Sequence, residues 1–177
     1  MLRIILLYGI PGAIIVGGPM LWGMLTGQQN ESNGALIGYS TMLVALTGVF
    51  LGVKHYRDRD LGGVIKFLPA LGVGLAISAV ASLGWVIAWE MSLAITKFDF
   101  GAMYGQMMID SAKAEGASAE RLSQVAKEAQ AFADMYANPF IRMGMTFIEM
   151  FPIGIVISLI SAALLRNSRF LPARAAA

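Results

Sequence analysis

The sequence predicts an all-α, polytopic membrane protein: four transmembrane helices, with an amphipathic helical hairpin on the outer face between the third and fourth. Three observations predict it. Of 177 residues, 57% are hydrophobic and 14% charged, where a soluble domain carries about a quarter charged residues. Mean hydropathy is +0.68. The stretches 4–30, 32–53 and 67–89 hold no Asp, Glu, Lys or Arg, and 143–165 holds only Glu149. A bilayer core of about 30 Å needs roughly 20 apolar helical residues. Lipid offers no partner for an unpaired backbone amide, so the crossing segments must be helices. The chain reads as one membrane domain, 1–177, with spans at about 4–25, 35–53, 66–95 and 140–165 and an outer insert at about 97–138.

Each element has its own reason. The first span starts after Arg3 and runs past Gly17-Gly18-Pro19 to Trp22 and Leu25. No small-x-small site closes it, so it reads as a retained helix and not a signal peptide. Pro11 and Pro19, among several glycines, are expected to bend it. The third span is longer than the hydrocarbon is thick and should tilt or protrude. The fourth has Asn138 as its cap and Pro139 in the first helical position. Pro152 removes one of its internal hydrogen bonds and should kink it.

Between spans three and four, Phe100, Met103, Tyr104, Met107 and Met108 recur at helical spacing, as do Leu122, Val125, Ala126, Ala129, Phe132 and Tyr136. Glu115-Gly116-Ala117-Ser118 reads as the turn joining two helices, with Ser118 as a cap. Their apolar stripe should lie on the bundle or on lipid headgroups.

Charge sets the orientation. With a cytoplasmic N-terminus, the inner side holds eight bases (Arg3, Lys54, Arg57, Arg59, Lys66, Arg166, Arg169, Arg174) against Asp58 and Asp60, a net +6. The outer side holds five bases and seven acids, a net −2, with Glu90 and Glu149 left in the membrane. The positive-inside rule then puts both termini in the cytoplasm. Trp22, Trp85 and Trp89 fall toward the outer interface. Small residues recur four apart in every span: Gly9, Ala13, Gly17; Gly48, Gly52; Ala70, Gly74, Ser78, Ser82; Gly154, Ser158, Ala162. Such stripes let helix backbones approach closely, either within one bundle or between subunits.

Two runs point to a family. One is Gly52-Val53-Lys54-His55-Tyr56-Arg57-Asp58, continuing through Leu61-Gly62-Gly63-Val64-Ile65-Lys66-Phe67 to Ala70-Leu71. The other is Asn138-Pro139, then Met145-Thr146-Phe147-Ile148-Glu149-Met150-Phe151-Pro152-Ile153-Gly154 and Ser158-Leu159-Ile160-Ser161-Ala162. Together they resemble the bacterial four-span membrane family catalogued as domain of unknown function 4199. The resemblance covers nearly the whole chain. It implies four helices and an outer helical insert, and it brings no activity and no catalytic residues.

The sharpest chemical feature is the pair of membrane carboxyls. Ionisable groups within spans are costly and are functional candidates. Glu90 lies seven residues before Lys97 and Glu149 seven after Arg142, so both sit roughly 10 Å inside the outer boundary. Two close carboxyls in a low dielectric cannot both ionise easily, which suits a proton-coupled, cation or partner site. The structural alternative is a protonated carboxyl bonded to a neighbour, or a pairing of Glu149 with Arg142.

Met103, Met107 and Met108 cluster on the first insert helix, and Met143, Met145 and Met150 line the start of span four. Thioethers bind Cu(I), but methionine more commonly fills gaps or forms adaptable surfaces. We expect the latter, and no metal or cofactor. Lys54, Arg57 and Arg59 are candidate contacts for anionic headgroups or a cytoplasmic partner, beside their ordinary role in setting topology.

The chain has no cysteine and one histidine, His55, which excludes disulfides, thiolate sites and multi-histidine metal sites. Gly62-Gly63 lacks a phosphate-loop pattern. Ser158 and Ser161 have no base within the span and should bond back to helix carbonyls. The formal charge of +2 is too small for nucleic-acid binding. The expected function is a non-enzymatic scaffold or accessory subunit acting by self-association (a homo-oligomer) or by binding a membrane partner. The alternative is a small oligomeric proton- or cation-coupled transporter or channel using Glu90 and Glu149.

Overall fold

The computed structural model describes residues 1–27 and 34–173. Glu31, and Arg174 with the Ala-rich tail, lie outside the described residues. The described elements are all helical: α1 (Leu2–Thr26), α2 (Gly34–His55), a π-helical turn (Tyr56–Asp60), α3 (Phe67–Thr96), α4 (Phe100–Ala114), α5 (Ala119–Ala137) and α6 (Pro139–Leu165). Three of them, α1, α3 and α6, are long and apolar enough to cross a membrane. The helices continue through Pro11, Pro19 and Pro152.

The capping chemistry works as the residue types dictate. Asn138 accepts from the Phe140 amide at 3.0 Å, Ser118 from Arg121 at 3.2 Å and Asp99 from Ala102 at 2.9 Å. Each satisfies an amide that a helix start leaves without a partner. Gly116, at φ 73°, makes the turn that ends α4.

α3 is the central helix, packed against α1, α2 and α6. Its buried face (Ala70, Val73, Gly74, Ile77, Ser78, Ala81, Ser82) repeats every three to four residues and is made of small side chains. The neighbours dock through the stripes. Gly9 lies against Val80 and Gly17 against Ala88, so α1 runs parallel to α3. Gly74 meets Ser158 and Gly154 meets Ser78, so α6 runs antiparallel to it. Gly48 and Gly52 meet Tyr8 of α1, and the Tyr8 hydroxyl and His55 Nδ1 are 3.0 Å apart.

The four long helices therefore alternate in direction. One end gathers Met1, the 56–66 connection and the chain after Leu165; the other carries α4 and α5. All four small-residue stripes are used inside the chain. Large apolar side chains face outward instead, among them Ile14, Leu43, Leu68, Leu83, Ile87 and Ile148. Small side chains at the helix contacts and large apolar ones on the outer surface fit a membrane protein, where close backbone approach supplements a buried core that includes Leu46, Ile77, Met150 and Leu165.

A substitution series tests this packing. A Cβ on Gly84 would fall inside the envelope of Ala13 Cβ, whereas one on Gly18 or Gly72 meets nothing within 4 Å. Gly84→Ala is expected to lower stability by about 1–3 kcal/mol by forcing α1 from α3. Gly18→Ala and Gly72→Ala should be neutral or slightly stabilising, because Ala is the better helix former. Thermal unfolding in one detergent compares all three. Equal losses would show that the α1–α3 contact is not tight.

Candidate functional site

The candidate site forms where α4 and α5 meet the ends of α3 and α6. α4 and α5 run antiparallel because Gly101 and Gly105 leave room for Ala133 and Ala129. That register brings two aromatic pairs together, each four residues apart on its helix. Phe100 and Tyr104 interleave with Phe132 and Tyr136: Tyr104–Phe132 centroids are 4.8 Å apart and Phe100–Tyr136 5.0 Å. Phe100 also meets Trp89 of α3 edge-on at 5.3 Å, a favoured geometry for ring quadrupoles.

Polar contacts fasten this ladder to the bundle. Trp89 Nε1 donates to the Tyr136 hydroxyl at 2.7 Å. Arg142, in the first turn of α6, donates through Nε to Glu90 Oε1 at 2.7 Å and through Nη2 to Oε2 at 2.5 Å. Its Nη1 donates to the Tyr136 carbonyl at 3.3 Å, and its guanidinium carbon lies 5.7 Å from the Tyr136 ring centroid. Burial pushes the Tyr136 phenol above its ordinary pKa. The Trp89 N–H and Arg142 oppose that rise, and the carboxylates of Glu90 and Glu149 add to it.

The two carboxyls singled out in the sequence take different partners. Glu90 is answered by Arg142, and Glu149 accepts from Trp85 Nε1 at 3.4 Å. Glu149 sits at a pocket of about 270 Å³ with Trp85, Trp89, Phe100, Phe132, Tyr136, Met145 and Thr146. The Arg142 pairing considered for Glu149 belongs to Glu90 instead. Arg142 is thus committed to Glu90, and Glu149 has no ion-pair partner among the described residues.

On the insert, Phe100 and Tyr104 turn toward α5, whereas Met103 and Met107 are exposed. Met108 is half-buried in a cleft of about 310 Å³ with Tyr104, Arg121 and Glu128. Among the described residues, no group of three His, Asp or Glu could hold a metal ion.

At the opposite end the three candidate headgroup bases divide. Arg57 has no exposed surface. Its Nε donates to Asp58 at 2.6 Å, Nη1 to the carbonyls of Phe170 (2.9 Å) and Leu165 (3.4 Å), and Nη2 to that of Leu171 at 2.5 Å. With its donors turned inward, Arg57 is an internal clamp. Lys54 pairs with Asp58. Burial opposes ionisation of Asp58, but the Arg57 and Lys54 hydrogen bonds and charges prevail and hold it below the usual carboxylate range. Arg59 alone of the three is exposed.

Sequence reasoning missed Tyr136 and Trp89 as fasteners and the Arg57 clamp. The available signals were the 85/89, 100/104 and 132/136 aromatic spacings, which place each pair on one helix face. Ser158 and Ser161 do bond back, to Gly154 and Ile157 at 2.7 Å each.

A family model described as "Protein of unknown function (DUF4199)" matches residues 6–167. No curated protein and no solved structure matches the chain.

Proposed function

The chain belongs to the DUF4199 family, and we propose that it is a non-enzymatic accessory protein of a bacterial inner membrane. It acts through contacts that α4 and α5 make outside the bilayer with a partner subunit or a second copy. One observation carries this reading. The α4–α5 pair is fastened to the bundle by an ion pair and an aromatic ladder, yet turns Met103 and Met107 outward. A rigid support with adaptable side chains is what a contact surface requires.

In this reading α2 is a fourth span. It has 22 residues, a buried face of Met42, Leu46, Val49 and Val53, and exposed Leu43, Val44 and Leu51 on the other side. The end carrying Met1, residues 56–66 and the chain after Leu165 faces the cytoplasm, because among the described residues it holds seven bases against two acids.

The cysteine-free chain makes the test direct. Met107→Cys, treated in native membranes with a bifunctional thiol–amine cross-linker, is expected to give a discrete higher-mass adduct. Ile148→Cys, facing lipid, should give none. Unmodified monomer at both positions would overturn the proposal. An impermeant maleimide should label Met107→Cys in intact cells, and labelling only after lysis would reverse the orientation.

A second reading, proton- or cation-coupled flux, is favoured by Glu149 having no basic partner among the described residues and keeps that residue alone. It requires a liposome flux that Glu149→Gln abolishes. Absence of flux with the wild type would end it.

A further inference from the structure

We propose that the pocket enclosed by Trp85, Trp89, Phe100, Phe132, Tyr136 and Glu149 binds a quaternary alkylammonium cation. The charge balance is the first argument. Arg142 and Glu90 form a closed bidentate pair, which leaves Glu149 with Trp85 Nε1 as its side-chain partner. An acidic side chain beside aromatic rings favours a cationic occupant, and no basic side chain lines this pocket.

The walls choose the kind of cation. Five of the eight lining residues are aromatic, two of them tryptophan, and an aromatic face attracts a cation through its ring quadrupole, tryptophan most strongly. A hard metal ion needs several oxygen ligands. The lining offers only two other side-chain oxygens, the neutral hydroxyls of Thr146 and Tyr136, each already in one hydrogen bond. A methylated ammonium asks for no such ligands, since it is weakly hydrated and apolar on its surface.

Size agrees. About 270 Å³ lies below the roughly 300–1,000 Å³ of drug-sized sites, which suits a single small group. The Arg142 guanidinium already lies over Tyr136, so the same aromatic cluster receives a cation within the protein itself. The trimethylammonium group has two sources at this position, a free small molecule or the terminus of a lipid headgroup.

The test uses the full chain in phosphatidylglycerol nanodiscs, titrated calorimetrically with choline chloride and with its neutral isostere 3,3-dimethylbutan-1-ol. Saturable binding of choline and none of the alcohol is expected. Glu149→Gln should weaken choline at least about tenfold, and Trp85→Leu about threefold or more, while Trp85→Tyr retains most of the affinity. The Trp85 pair keeps the test decisive if Glu149→Gln fails to fold. Repeating the titration with phosphatidylcholine in the disc separates the sources. A lipid-occupied site shows a fall in apparent choline affinity as that lipid rises, whereas a site for a free cation does not. Equal binding of the alcohol, no saturable choline binding, or unchanged affinity in Glu149→Gln and Trp85→Leu overturns the proposal. The cross-linking experiment at Met107 is independent of this pocket, so the two proposals fail separately.

Discussion

Arg57→Ala is expected to destabilise the protein by about 3–5 kcal/mol and to free the chain beyond Leu165 from the bundle. The side chain has no exposed surface and supplies the donors that hold the Leu165, Phe170 and Leu171 carbonyls. Leu165 ends α6, where the last carbonyls have no partner within the helix and carry the negative end of its dipole. Alanine would strand those carbonyls and leave Asp58 with Lys54 alone.

Arg57→Lys should recover only part of the loss, because a point-charged ammonium cannot span the positions a planar fork reaches. Hydrogen exchange over 166–171, read with thermal unfolding, checks the prediction. Native protection there in Arg57→Ala, with an unchanged melting temperature, would show that Phe170 packing on Phe50 holds the segment unaided.

The second large effect is expected at Arg142. Arg142→Ala leaves the Glu90 carboxylate without its partner while only 20% of that side chain is exposed. Breaking a buried pair by removing one member costs about 3–5 kcal/mol, and the residual exposure places this case near the lower end. The Tyr136 carbonyl also loses a donor, so α5 should loosen from α6. Glu90→Gln combined with Arg142→Met should be milder than Arg142→Ala alone, because no uncompensated charge remains. A double-mutant cycle on thermal stability measures the coupling. Equal stability of Arg142→Ala and the double variant would show that the pair contributes nothing beyond its packing.

The contrast between the two ends explains what was legible beforehand. Length and apolarity are local properties, so the helices at 2–26, 34–55, 67–96 and 139–165 lie within a few residues of the expected boundaries. The caps Asn138 and Ser118 were legible for the same reason, since a capping side chain acts within three residues of itself. The expected use of Ser158 and Ser161 is also local. Glu90 and Glu149 were visible as ionisable groups in apolar runs, but their partners were not. Arg142 and Glu90 are 52 positions apart, and Trp85 and Glu149 are 64 apart. Arg142 and Glu149 share α6, so the rotation and register of α3 against α6 decide whether Glu90 comes within reach of the guanidinium. Arg57 read as a topology-setting surface base because its composition context is a charged loop. Only the return of the chain at 165–171 buries it.

What the sequence determined by itself is the medium and the parts list. Long runs without charge compel helices in lipid, because a backbone amide there has no other partner. The residues between 97 and 138 are too polar to join them. What the tertiary structure alone decided is which groups meet: small stripes spent on one another within the chain, Arg142 given to Glu90, Arg57 turned inward, and Glu149 left to Trp85 beside aromatic rings. Those outcomes depend on helix rotation and register, set by close packing of many side chains at once. Periodicity along one helix carries no information about the angle at which its neighbour arrives.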